Sequence, residues 1–173
     1  MKKTIKLFTL TLALVLVSLT AFAQGDKSNR PSPPAQAKQT VNGTDILIDY
    51  SQPSKKGREV FGKLVKYGKV WRTGANENTW IKVSKDVKVQ GKTLKAGKYG
   101  LHTIPGENEW TIIFNTVSNE WGSYNYDESK DVLRVQAKST KTSEVTEKFT
   151  IDIDAKGNVS MAWDKTKVAF TVK

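Results

Sequence analysis

The sequence predicts an all-β protein whose main part is a single antiparallel β-sandwich or barrel-like domain. From Val41 onward, apolar and polar side chains alternate with a period of two. Short segments rich in glycine, proline, asparagine and aspartate separate these alternating runs. No run has the spacing of a useful amphipathic helix. Roughly eight to ten short strands joined by sharp turns are typical of a sandwich or barrel.

The first 23 residues have the pattern of a secretory signal peptide. Lysines near the start precede an apolar run over residues 7–20, and Ala21-Phe22-Ala23 fits the small-x-small cleavage pattern. The apolar run is shorter than the roughly 20 residues that a membrane-spanning helix needs. We therefore expect cleavage after Ala23 and export to the periplasm or the medium, with no transmembrane segment. An uncleaved N-terminal anchor is the alternative.

Residues 24–40 are predicted to form a flexible tether. The segment is polar, and Pro31, Pro33 and Pro34 would break any helix. The remaining residues, 41–173, are assigned to the β domain. Cleavage would leave 173 − 23 = 150 residues, which is the size of one domain.

Composition excludes several kinds of site. The chain has no cysteine and a single histidine, so disulfides, thiolate metal sites and multi-histidine centres are ruled out. No phosphate-binding glycine motif occurs, and we expect no metal and no cofactor. The net charge of +11 comes mainly from lysines scattered along the strands, which is typical of solvated sheet faces. We therefore expect no nucleic-acid partner.

The alternating runs define the strands in chain order. Turns are predicted at Gln90-Gly91, at residues 105–108 and at residues 154–158. The apolar faces are Ile46, Ile48 and Tyr50; Ile81 and Val83; Val87 and Val89; Trp110, Ile112 and Phe114; Leu133, Val135 and Ala137; Val145, Phe149, Ile151 and Ile153; Val159, Met161 and Trp163; and Val168, Phe170 and Val172.

Two segments, residues 52–78 and 116–130, depart from the strand pattern and form long connections, where sites are usually built. In the first, Trp71 offers an aromatic platform and Arg72 a bidentate donor fork, a set that suits a carboxylate, a phosphate or a sugar. The alternative is a packed loop in which Trp71 fills the core and Arg72 hydrogen-bonds carbonyl groups. The predicted binding residues here are Arg58, Tyr67, Trp71, Arg72, Asn76 and Glu77.

Several segments together resemble an uncharacterised bacterial family, domain of unknown function 2911. They are YSQPSKKGREVFGKLVKYGKVWRTGANEN, AGKYGLHTIPG, WTIIFN, WGSYNYD and DVLRV. The resemblance spans about Tyr50 to Val172, and its most specific parts are WRTGANE and AGKYGLHTIPG. It implies an exported bacterial β-rich domain and brings no catalytic assignment.

The second connection adds Trp121 and Tyr124, whose rings could stack on a sugar. Its acids, Asp127 and Glu128, could ligate calcium or act with Glu77 as a carboxylate pair. An aromatic cover that closes an open end of the sandwich is the alternative. Arg134 follows on a strand, and we expect it to bind a ligand or to pair with Asp127 or Glu77.

His102 and Glu77 are the two catalytic candidates. A general base needs only one imidazole, but no nucleophile elbow presents a serine to His102, and a lone strand histidine is more often a packing residue. We therefore favour a small-ligand or carbohydrate-binding module that takes a small anionic or sugar ligand. A hydrolase that uses His102 or Glu77 and a structural or assembly protein without a pocket are the two alternatives.

Overall fold

The computed structural model describes residues 27–173, and most of them lie in β-strands. The predicted signal peptide and its cleavage after Ala23 lie outside these residues. Residues 27–30 form a turn in which the Arg30 N–H donates to the Lys27 carbonyl over 3.2 Å. Within residues 31–173 there is no α-helix, and a single 3-10 turn spans Glu128–Lys130.

The prediction of an all-β domain is confirmed. One seven-stranded antiparallel sheet, in the order β1-β2-β3-β6-β7-β8-β9, curls into a half-barrel, and β4 and β5 form a separate hairpin. The strands are β1 (Pro34–Val41), β2 (Thr44–Ser51), β3 (Trp80–Val83), β4 (Val87–Val89), β5 (Lys92–Leu94), β6 (Gly97–Ile104), β7 (Glu109–Asn115), β8 (Asp131–Ile153) and β9 (Asn158–Thr171).

The expected tether is wrong over residues 34–40, because these residues form edge strand β1. The strand pairs with β2 along its whole length, and its Ala37 side chain is buried. Pro34 is tolerated because it is the first residue of an edge strand. The Asn42-Gly43 turn after β1 has positive φ at both positions, which is the favoured geometry for a two-residue hairpin.

Strands β8 and β9 are far longer than the separate short strands that the sequence predicts. The first part of β8 pairs with β7, and from Ser139 onward β8 pairs with β9. The β8–β9 register shifts between Lys141 and Thr150, and Asp164 in β9 has a φ of 54°. Such irregularities bend a strand pair. Val145 lies in this stretch and is half exposed, so its assignment to the apolar face is wrong.

Contacts between distant strands close the curled sheet around the core. Residues just after β2 reach the far half of β8, where the Phe149 N–H donates to the Pro53 carbonyl over 2.9 Å. The end of β9 pairs with β4, and the Gln90 N–H donates to the Thr171 carbonyl over 3.1 Å. The two long connections predicted from the sequence are confirmed between β2 and β3 and between β7 and β8.

Candidate functional site

Trp71 belongs to the hydrophobic core. Its ring centroid lies 5.1 Å from that of Phe149, and it stacks on Trp163 with a centroid separation of 6.0 Å. Its indole N–H donates to the Gly74 carbonyl over 3.1 Å. This is the placement that the alternative interpretation expects, in which Trp71 fills the core, and the proposal below does not use Trp71 as a ligand contact.

The Arg72 side chain points to the opposite face of the segment from the Trp71 side chain. Trp71 and Thr103 form an isolated antiparallel bridge, so that Arg72 stands across from His102 on the outer face of β6. The Arg72 side chain is half-buried. Its Nε is fully buried and has no hydrogen-bond acceptor within residues 27–173. Burial lowers the pKa of Arg72, and the nearby Tyr124 phenol acts in the other direction.

The second long connection lies directly over this part of the sheet. Gly100 in β6 allows the close approach, because a Cβ there would overlap the Val117 carbonyl. Main-chain hydrogen bonds then join the two connections, from the Gly122 N–H to the Asn76 carbonyl over 3.1 Å and from the Asn78 N–H to the Glu120 carbonyl over 2.8 Å. This pairing brings the second connection beside Arg72.

The juxtaposed connections form a surface that we call the Arg72 face, made of Arg72, Trp121 and Tyr124. The relative exposure of Trp121 is 58% and that of Tyr124 is 84%, so neither ring serves as a cover over the core. Gly122 lies between them, and a Cβ built on it would be 3.5 Å from Arg72 Nη1. Glu77 forms an isolated bridge with Trp121 on the same pair of segments.

The other predicted binding residues of the first connection lie apart from this face or are already engaged. Asn76 Nδ2 donates to the Ser32 carbonyl over 2.9 Å. Arg58 donates to carbonyls of its own turn, with its Nη2 2.6 Å from the Ser54 oxygen. Tyr67 lines a different cleft. The structure therefore does not bring Arg58 and Tyr67 together with Arg72.

Arg134 is held by neighbours that the sequence did not identify. Its Nε donates to Asp131 Oδ2 over 2.7 Å, and its Nη1 lies 3.0 Å from Glu128 Oε1. Its Nη2 donates to the Tyr126 hydroxyl over 2.7 Å, and that hydroxyl donates to Asp131 over 2.6 Å. Asp127, an expected partner, instead accepts from the Ser129 N–H. Arg134 therefore anchors the second connection through Asp131, Glu128 and Tyr126, and its assignment as a ligand-binding residue stays a prediction.

His102 lies beneath this network on the outer face. The antiparallel register aligns His102, Ile113 and Arg134 across β6, β7 and β8. The imidazole is buried, contacts the Tyr126 ring at a centroid distance of 5.0 Å, and its Nδ1 has no partner within the described residues. Burial lowers its pKa to about 4, and the attraction of Asp131 only partly opposes this. These contacts are typical of a neutral, packed imidazole, whereas a general base must be within hydrogen-bond reach of a substrate proton.

The acids of the second connection do not form the metal site that we considered. Glu128 pairs with Arg134, and the Asp127 side chain accepts a main-chain hydrogen bond. In the described part of the chain, no group of three or more histidine, aspartate or glutamate side chains could hold a metal ion.

Comparison with known proteins identifies the family. Residues 32–172 match the family described as protein of unknown function (DUF2911), which confirms the resemblance and extends it to include β1. No curated protein and no solved structure matches the chain. Over residues 27–173, no helix is long and apolar enough to cross a membrane. Since the match covers most of the sequence, the chain belongs to the DUF2911 family.

Proposed function

We propose that this chain is an exported domain that binds a small anionic ligand at the Arg72 face. The observation that supports this is the buried Arg72 Nε, which has no acceptor within residues 27–173. A guanidinium group removed from water without its hydrogen bonds is costly, and an anion is the group that would satisfy it. The lowered pKa of Arg72, which follows from its burial, reflects the same environment.

The exposed rings beside Arg72 favour a ligand that also has a flat apolar face. Trp121 and Tyr124 are both more than half exposed, and Gly122 between them brings the chain close to Arg72 Nη1. Aromatic side chains stack on sugar rings, and arginine binds carboxylates with two parallel hydrogen bonds. A sugar acid, which has a ring and a carboxylate, matches both features.

Replacement of Arg72 by lysine is expected to weaken binding of such a ligand about tenfold or more, because lysine keeps the charge but loses the planar fork. The measurement is isothermal titration calorimetry with galacturonate, together with the rise in melting temperature that the ligand produces. The matched control is Arg58→Lys, since the Arg58 side chain donates to the Lys55 and Ser54 carbonyls of its own turn and is not part of the Arg72 face. Equal galacturonate affinity in the Arg72 variant and the wild type would contradict the proposal.

Export is the second part of the proposal. It is supported by the lysines near the start of the sequence, by the apolar run over residues 7–20 and by the Ala21-Phe22-Ala23 cleavage pattern. Expression of the full chain in a Gram-negative host is expected to give a periplasmic protein whose first residue is Gln24. N-terminal sequencing and intact mass of the periplasmic fraction test this, with Ala23→Arg as a variant that should block cleavage. Protein that stays uncleaved in the cytoplasm would argue against export.

A further inference from the structure

A second concave surface, which we call the polar cleft, lies away from the Arg72 face. It has a volume of about 350 Å³ and shares no residue with that face. Three parts of the chain form it: the loop that contains Glu59, Lys63 and Tyr67, the β6–β7 turn with Glu107, and the start of the β8–β9 pair with Lys141. Of these residues, only Tyr67 was predicted to bind ligand.

The walls of the polar cleft are fixed by the main chain. The Gly68 N–H donates to the Pro105 carbonyl over 2.9 Å, which joins the loop to the β6–β7 turn. Within the loop, the Gly62 N–H donates to the Val65 carbonyl over 2.8 Å. Gly106 is required in the turn, because a Cβ there would overlap the Glu109 carbonyl. A cleft with hydrogen-bonded walls is organised before any ligand enters, which lowers the entropic cost of binding.

The charges that line the polar cleft balance one another. Glu59 and Glu107 contribute two carboxylates, and Lys63 and Lys141 contribute two ammonium groups. Within residues 27–173, none of the four makes an ion pair, so their hydrogen-bonding capacity is available. Tyr67 lines the same cleft. Burial raises the pKa of its phenol, and Glu107 and Glu59 raise it further.

Aromatic side chains complete the lining. Tyr67 has a relative exposure of 40%, and its ring packs against Gly62, where a Cβ would lie 3.0 Å from Tyr67 Cε2. Trp110 also lines the cleft, and its buried indole Nε1 has no acceptor within the described residues. Buried indole N–H groups usually have an acceptor, so this donor is a second sign of a missing polar partner.

We propose that the polar cleft binds a neutral saccharide. Sugar hydroxyl groups both donate and accept hydrogen bonds, and thus match a lining in which carboxylates accept and ammonium groups donate. The ring of Tyr67 supplies an apolar surface for the face of a pyranose. An anion would meet two carboxylates, and an apolar ligand would leave four charges without water, so both classes fit worse.

The test is calorimetric titration of the purified protein with neutral di- and trisaccharides of glucose, galactose, mannose and N-acetylglucosamine, in both α and β linkages. We expect at least one of them to bind with a Kd below about 1 mM, as for ligands that make a few hydrogen bonds and one ring contact. Tyr67→Ala should weaken that binding about tenfold or more. Glu107→Gln, which leaves the cleft's shape unchanged, should weaken it severalfold.

Val132→Ala is the control, since it truncates an exposed apolar side chain that lies outside both the polar cleft and the Arg72 face. It should leave saccharide binding within about twofold, and circular dichroism should show that all three variants are folded. The proposal is overturned if no neutral saccharide binds, or if binding is the same in Tyr67→Ala and Glu107→Gln as in the wild type. Tyr67→Ala should leave galacturonate binding at Arg72 unchanged. The proposal for the polar cleft and the proposal for the Arg72 face can therefore be contradicted independently.

Discussion

Replacing Trp71 with alanine is expected to lower the free energy of unfolding by about 3–5 kcal/mol, the usual cost of removing a large buried aromatic side chain. Trp71 lies among four other aromatic rings of the core, and its nearest centroid distance is 5.1 Å, to Phe149. The substitution also leaves the buried Gly74 carbonyl without its indole donor. For a domain of marginal stability, such a loss removes much of the folded population.

Trp121→Ala is the matched control because Trp121 is more than half exposed. Surface substitutions usually change stability by less than about 0.5 kcal/mol. Urea denaturation followed by circular dichroism measures both variants against the wild type. Similar losses in the two variants would contradict the placement of Trp71 in the core. If Trp71→Ala is as stable as the wild type, Trp71 becomes a candidate ligand contact again.

Acidification is expected to destabilise the fold through His102 by up to about 3 kcal/mol. Burial lowers the pKa of His102 from 6.5 to about 4. Between these two pH values the unfolded chain binds a proton that the folded protein does not. The stabilising contribution is therefore complete above about pH 6.5 and is lost as the pH falls towards 4.

Because His102 is the single histidine of the chain, its imidazole gives one isolated set of NMR signals. These signals should titrate with a midpoint near pH 4 rather than 6.5, provided that the protein remains folded. His102→Gln, which cannot gain the proton, should flatten the decline of unfolding free energy over the same pH interval. A midpoint of 6 or higher, or an unchanged pH slope in the variant, would contradict a buried neutral imidazole.

The fold could be predicted because period-two alternation and turn residues act locally. The turns at Gln90-Gly91, at residues 105–108 and at residues 154–158 lie where the sequence places them. Edge strand β1 was not predicted, because its buried side has small side chains such as Ala37 and therefore lacks the large apolar residues that mark a strand. The continuity of β8 was not predicted either, because the exposed middle of the strand has polar residues on both faces and shows no alternation.

The site was harder to predict than the fold because its residues belong to different faces. Trp71 and Arg72 are adjacent in sequence, and strand geometry directs one into the core and the other outward. The partner of Arg134 could have been found, since Asp131 precedes it by three residues. The polar cleft could not, because its lining comes from segments as far apart as Glu59 and Lys141, and nothing in the sequence pairs them.

The continuity of β8 has a consequence for how the sheet can open. β8 passes from its pairing with β7 to its pairing with β9 without a break in the chain. Any separation of these two parts must therefore break main-chain hydrogen bonds. The irregular pairing between Lys141 and Thr150 leaves the fewest of them to break, so opening should begin there.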